Sequence, residues 1–299
     1  MKIATLLISL CLGAASIANA QKFVIAAPAG SGADMVARAI AAKMGATVEN
    51  GTPETVAKAA PDGSTLLLAT PTFTASIALS KVGFDGLRAF APVARVTNEP
   101  FVLVATSTLS TSSLFDFIAL AKANPGQIAY ASAGRGSASH LAFEFLKSAG
   151  TINLKHVAAR SVEAAVDDVI AGNAKVAFAP YGSVSAALRA GKLKALAVTG
   201  SARLPLLPDV PTMRESGLLD YTFDAWLGVL APATASKGTV DRVNDALRKA
   251  IQAPDLRDKL VALLGTEPRV STPDEFANAL KREVATFEKV GRELGFRLD

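Results

Sequence analysis

Short apolar runs alternate with stretches of helical spacing along almost the whole chain. Phe23 to Ala27 is a continuous apolar run of the kind a buried strand makes, and Met35, Val36, Ala39 and Ile40 then recur at helical intervals. Thr65 to Ala69 predicts a second such strand, introduced by the turn Pro61-Asp62-Gly63. Phe101 to Ala105 predicts another. The helical face Leu114, Phe115, Ile118 and Ala121 follows it and stops at Asn124-Pro125-Gly126. Ile128 to Ala131 reads as a strand and Ser137 to Lys147 as a helix. Lys175 to Phe178 and Ala195 to Thr199 read as strands around a helix near Val184 to Leu188. In the tail, Phe276, Leu280, Val284, Phe287, Val290 and Leu294 step by three or four, as one helix face does.

Strands alternating with helices imply an α/β protein with mixed, mostly parallel sheets and flanking helices. Roughly ten strands are too many for one comfortable small sheet, so two domains are the natural division. The chain is expected to cross outward near Phe101–Ala105 and back near Leu227–Ala231. That gives one domain from residues 21–104 plus 228–299 and a second from 105–227. A double crossing suits a hinged clamshell. No internal repeat or low-complexity segment interrupts the pattern.

The first twenty residues stand apart. Lys2, the apolar stretch from Ile3 to Ala15, and Ala18-Asn19-Ala20 form the three parts of a secretory signal peptide, with cleavage expected after Ala20. The other reading of this segment is a buried N-terminal helix. Removing these 20 from the 299 residues leaves 279, and the loss of Lys2 lowers the formal charge from +5 to +4. The sole cysteine, Cys11, leaves with the leader, so the mature protein has neither disulfide nor thiol chemistry. No later segment reaches about 18 uninterrupted apolar residues, the length a membrane helix needs. A mild, dispersed positive charge gives no reason to expect a nucleic-acid partner.

Two loops carry the candidate chemistry. AAPAGSGAD, residues 26–34, lies between a predicted strand and a predicted helix. Free N–H groups at such a helix start bind anions, and Gly30 and Gly32 allow close approach of the backbone. No Gly-Lys-Ser/Thr follows, and Met35 stands where a dinucleotide fingerprint needs its third glycine. A plain structural turn explains this loop equally well when it is taken alone. ASAGRGSASH, residues 131–140, repeats the arrangement. Gly134, Gly136, Ser137 and Ser139 offer backbone donors, hydroxyls and a helix cap. Two such loops, one per domain, would hold a small anion from both sides of a cleft, where open α/β sheets place their ligands. Arg135 would add charge there or simply face solvent. Asp34, in the first turn of its helix, either meets the ligand or stabilises the helix dipole.

Catalytic alternatives are thin. His140 beside Ser137 and Ser139 allows a serine hydrolase, yet no Gly-x-Ser-x-Gly elbow and no third member accompany them. His156 ends an apolar strand, where packing is its simplest role. Two histidines without cysteine and without a His-x-x-x-His spacing make a poor metal set, so no metal and no cofactor are expected.

The sequence resembles the periplasmic solute-binding receptors of tripartite tricarboxylate transporters, the Bug family, over essentially the whole mature chain. The motifs are APAGSGADMVAR (27–38), VAKAAPDGSTLLLAT (56–70), GRGSASHLAFE (134–144), LRAGKLKALAVTGSARLPLLPDVPTMRESG (188–217) and AWLGVLAPA (225–233). The run from Gly191 to Gly217 is the most specific. The resemblance implies a two-domain, type II-like periplasmic clamshell without enzymatic activity that captures a small carboxylate and delivers it to membrane transporter subunits; a monomer is expected, although the residues do not encode the oligomeric state. It implies a ligand held by backbone N–H groups and hydroxyls at Pro28, Ala29, Gly30, Ser31 and Gly32 and at Ala133, Gly134, Gly136, Ser137 and Ser139. Thr72, after the Thr65–Ala69 strand, and Ala179 and Tyr181, after the Lys175–Phe178 strand, would line the same cleft. The sequence departs from the family where Val48 to Pro53 is shortened, where Ala158-Ala159-Arg160-Ser161 replaces a proline–tyrosine–lysine–glycine turn, and where Ala179 replaces a frequent acid. These departures leave the ligand's identity open. A sensor for a membrane signalling partner is a further reading, and the residues themselves do not separate it from a transport receptor.

Overall fold

The structure, a computed structural model, describes residues 21–27, 31–219, 221 and 223–298. The leader, its expected cleavage point after Ala20, and Pro28, Ala29 and Gly30 lie outside the described residues. Ten described strands form two five-stranded sheets. The first sheet has the order β2 (Thr47–Asn50), β1 (Lys22–Ile25), β3 (Thr65–Ala69), β10 (Ala225–Pro232), β4 (Phe90–Glu99). The second has the order β7 (Lys155–Ala158), β6 (Ala129–Ser132), β8 (Val176–Pro180), β5 (Phe101–Thr106), β9 (Leu193–Val198).

The two sheets share one plan. In each, the first three strands run parallel and the fourth is reversed. The fifth is antiparallel to the fourth and so restores the common direction. The reversed strands, β10 and β5, are the ones by which the chain arrives from the other sheet. Both are buried along their whole length, as their unbroken apolar sequences require of a strand covered on both faces.

Helices cover these faces. Helix α1 (Gly32–Met44), α8 (Lys237–Gln252) and α9 (Pro254–Leu264) pack Ile40, Leu247 and Leu260 onto Phe23, Ile25 and Leu66 of the first sheet. Helix α2 (Pro53–Ala57) lies beside β3 and β10, and α3 (Pro71–Leu79) beside β10. Around the second sheet stand α4 (Leu114–Ala123), α5 (Ala138–Gly150), α6 (Val162–Ala171) and α7 (Tyr181–Arg189). Phe117, Phe143 and Leu146 pack on Leu103, Tyr130 and Phe178 there. The long α10 (Pro273–Leu294) joins both halves. Its Phe287 and Val290 enter the core of the second sheet beside Leu79 of α3. Its Glu283 accepts hydrogen bonds from Trp226 Nε1 at 2.9 Å and Thr74 Oγ1 at 2.6 Å. Gly228 lets α10 lie close to β10, since a Cβ at that position would run into the Phe276 ring.

The exchange between sheets falls at Pro100, because Phe101–Ala105 already pairs with β8 and β9. It is four residues earlier than the crossing expected at 104. The return falls just before Ala225, three residues ahead of the expected 228, because Ala225 pairs with Glu99. The two crossings lie side by side. Thr199 Oγ1 accepts the Phe101 N–H at 2.9 Å and donates to Asp224 Oδ1 at 2.8 Å. Strand β1 stops at Ile25 rather than Ala27. Strand β4 is among the elements that the apolar pattern does not announce, because Pro92, Arg95, Thr97 and Asn98 interrupt its run.

Candidate ligand cleft

Four strands of the first sheet and four of the second end at one shared edge. From the carboxyl ends of β1, β3, β6, β7 and β8 the chain turns into helices, so the N-termini of α1, α3, α5, α6 and α7 gather around the gap between the sheets. This is where parallel α/β sheets expose unpaired N–H groups and leave room for a ligand. The gap is a cleft of about 760 Å³. Thr72 Oγ1 donates to Gly136 O across it at 3.3 Å, joining the α3 start to the second sheet's loop.

Serine caps shape three of these helix starts. Ser31 has the extended backbone of an N-cap (φ −67, ψ 161), and its Oγ accepts the Asp34 N–H at 3.4 Å. Ser137 repeats this (φ −65, ψ 158), accepting the His140 N–H at 3.3 Å. Ser161 accepts the Ala164 N–H at 3.1 Å. Each cap uses one of the first helical donors and leaves earlier ones open. Among the described residues, the N–H groups of Gly32, Ala33, Ala138 and Ser139 make no hydrogen bond.

The second loop is held rigidly. Gly134 and Gly136 have φ values of +100 and +78, conformations that favour glycine. Gly134 O accepts from the Ser137 hydroxyl at 2.7 Å and from the Ser137 N–H at 3.2 Å. Ser139 Oγ accepts the Ala133 N–H at 3.0 Å. Gly136 N–H donates to His140 Nδ1 at 3.1 Å, so that nitrogen acts as an acceptor and the ring is neutral. Burial, aided by His156, Lys147 and Arg135, pushes the His140 pKa down to about 3. Behind it, Tyr130 OH donates to Glu144 Oε1 at 3.0 Å, Lys147 reaches both Glu144 oxygens at 2.9 Å, and Ser132 Oγ meets His156 Nε2 at 2.7 Å.

Of the residues expected at the site, Ser31, Gly32, Thr72, Ala133, Gly136 and Ser137 line the cleft. Pro28, Ala29 and Gly30 lie outside the described residues. Gly134 and Ser139 stand behind the wall and brace the loop through the bonds above. Ala179 is fully buried in β8, paired with Val102, and it is Pro180 that faces the cleft. Tyr181 packs against Gly265. Phe73, next to Thr72, belongs to an aromatic cluster with Phe84 and Phe90.

The cleft also contains residues the sequence reading left out. Arg160, Ser161 and Glu163 come from the β7–α6 turn. Ser161 before a helical pattern was a readable cap signal. Glu99 enters from the end of β4, and Leu298 from the tail beyond α10. Leu298 is tied to α3 through its N–H to Leu79 O at 3.1 Å, and the Arg135 guanidinium bonds Arg297 O while lying over the Phe296 ring. Arg135, read as a loop charge that adds to the site or faces solvent, therefore grips the tail as well as lining the cleft. A smaller pocket of about 320 Å³ adjoins the cleft, shares Thr70, Thr72 and Ser76 with it, and is bounded by Thr52 and Pro53 of the shortened segment.

The hydrolase arrangement is not assembled. His140 Nδ1 accepts a backbone N–H, while the Ser137 hydroxyl donates to Gly134 O. Among the described residues there is no group of three or more metal-binding side chains and no helix long and apolar enough to cross a membrane.

Two like-ordered sheets, two adjacent crossings between them and a cleft ringed by helix N-termini define an α/β clamshell of the periplasmic binding protein type. Residues 38–296 match the tripartite tricarboxylate transporter family receptor, TctC, and the chain belongs to that family. Protein BugT of Bordetella pertussis is 30% identical over 93% of this chain and 90% of its own. The structure of periplasmic binding protein BugD superposes with TM-score 0.77 at 28% identity, covering 93% of this chain and 98% of that one. MatC from Rhodopseudomonas palustris with bound malate gives TM-score 0.76 at 28% identity, covering 91% and 98%. An R. palustris protein with adipate gives 0.79 at 26%, covering 92% and 97%. The family and fold are those of periplasmic solute-binding receptors rather than enzymes.

Proposed function

We propose that this receptor captures a small organic carboxylate in the cleft and delivers it to a membrane transporter of the tripartite tricarboxylate type. The observation that carries the reading is the pair of serine-capped helix starts, α1 and α5, on opposite walls with open N–H groups at the cleft residues Gly32, Ala33 and Ala138. Hydrogen bonds from such donors to a desolvated carboxylate contribute roughly 1.5–3 kcal/mol each. Malate and adipate in the related structures support the ligand class.

In this reading each sheet is the centre of one domain, the domains rotate about the crossings at Pro100 and before Ala225, and a ligand touching both walls favours the closed form. The mature chain begins at Gln21 and acts as a monomer. A thermal-shift screen against mono-, di- and tricarboxylates tests the reading, since a ligand of the folded state raises the Tm by mass action. At least one acid should raise the Tm of the wild type and fail to do so with Ser137→Phe. An unchanged response in that variant would remove the site assignment.

A further inference from the structure

Strand β4 runs in the direction of β1 and β3, so its last residue, Glu99, arrives at the same edge as the two capped loops. Its side chain lines the cleft. Glu99 Oε1 lies 3.5 Å from the point where a Cβ on Gly32 would stand, against the first turn of α1. Among the described residues, no hydrogen bond or ion pair reaches this carboxyl group. Burial alone acts on it and pushes its pKa up to about 7.

Its acidic neighbour on α1 differs. Asp34 holds Arg38 Nε at 2.9 Å. The other charged groups of the cleft wall, Arg135, Arg160 and Glu163, all come from the second sheet's loops. The cleft is therefore polarised. Its second half offers open N–H groups and two guanidiniums against the single carboxylate of Glu163. Its first half offers open N–H groups with a carboxyl group beside them that lacks a partner.

Above about pH 7, where Glu99 is ionised, a plain carboxylate seated on the α1 start would meet it as a like charge. A ligand with a protonated amine next to its carboxylate turns that repulsion into attraction. Its carboxylate takes the Gly32 and Ala33 N–H groups, and its ammonium takes Glu99 within the same few ångströms. A second carboxylate on such a ligand would reach towards the α5 start and Arg160. We propose that Glu99 is a specificity-determining residue and that the ligand is an amino acid, its ammonium group bound by Glu99. This inference rests on the carboxylate-receptor reading and narrows it.

Matched pairs of probes test it by titration calorimetry at pH 8: succinate with aspartate, glutarate with glutamate, and adipate with 2-aminoadipate. In at least one pair the amino acid should bind about tenfold or more tightly than its plain partner. Glu99→Gln should remove most of that preference, while Glu99→Asp should keep part of it. The Tm of each variant without ligand checks that it folds. A plain acid bound as tightly as its amino partner, with equal affinity in Glu99→Gln, would overturn the inference and leave the carboxylate receptor standing. No binding of any member of any pair would overturn both.

Discussion

The serine-capped starts of α1 and α5 occupy equivalent places in their sheets, yet they present different chemistry. Each follows the second strand of its sheet, and each ends in a serine cap on a helix of 13 residues. In each, the third residue after the serine donates its N–H to that serine. That residue is Asp34 in one case and His140 in the other. Asp34 carries a charge paired with Arg38, and Glu99 stands nearby. His140 is neutral, folded back on Gly136, with Arg135 in the same loop. The backbone plan supplies the same donors twice, and the side chains decide which kind of ligand end each set receives. The α5 start is the anion end; the α1 start suits a group of mixed charge.

The widest gap between the halves is expected from bulk at the caps. Ser137→Phe fills the floor of the better anion end and should lower ligand affinity by about a hundredfold or more, a loss typical of a central contact. Ser31→Phe should weaken binding less. Calorimetric titration of both variants reads the difference, and a reversed order would break the comparison.

Next come the glycines. Gly136 has φ +78, and its Cβ would lie 3.0 Å from Leu298 Cδ2. Gly136→Ala should therefore cost about 1–2 kcal/mol from the left-handed conformation alone, with displacement of the tail added. Gly32→Ala, at a helix start without such a φ, should be close to neutral or slightly stabilising. Denaturant unfolding measures both.

The caps themselves should differ by less. Ser31→Ala should cost about 1 kcal/mol in the same assay, because it removes one acceptor for one early N–H. Ser137→Ala should cost more than Ser31→Ala, because its hydroxyl also donates to Gly134 O.

The smallest and most diagnostic effects lie in pH. Glu99 has a raised pKa in the folded state, so the folded protein holds a proton that the unfolded chain releases from about 4.5 upward. Stability contributed by Glu99 should fall as pH rises from 4.5 to 7, and Glu99→Gln should lessen that slope, to which the buried Asp224 and Glu283 add. His140 has a lowered pKa, so the unfolded chain takes up its proton first. Stability should fall as pH drops from 6.5 towards 3, and His140→Gln should flatten that side. Thermal unfolding across pH with each variant resolves the two opposite signs.

What the chain revealed before its structure was known follows from which contacts are local. A cap, a turn glycine and an apolar run act within a few residues, so the starts at Ser31, Ser137 and Ser161 and the buried strands at 65–69 and 101–106 are readable. The crossings were placed a few residues late because an apolar run does not say which sheet it joins. Strand β4 was hidden because Pro92, Thr97 and Asn98 break its run, and its pairing with β10 comes from far along the chain. Glu99 and Leu298 reach the cleft only through such distant pairing and packing, which no spacing rule encodes. Ala179 stands where a cleft residue was expected, but it lies one place too early in β8, where its side chain is buried.

The most direct measurement is calorimetric titration of residues 21–299 with malate, adipate and aspartate, repeated on Ser31→Phe and Ser137→Phe. The account predicts saturable binding of one ligand per chain for at least one of these acids, reduced by either substitution and most strongly by Ser137→Phe. Binding that survives both substitutions unchanged would contradict a carboxylate held between the two capped helices.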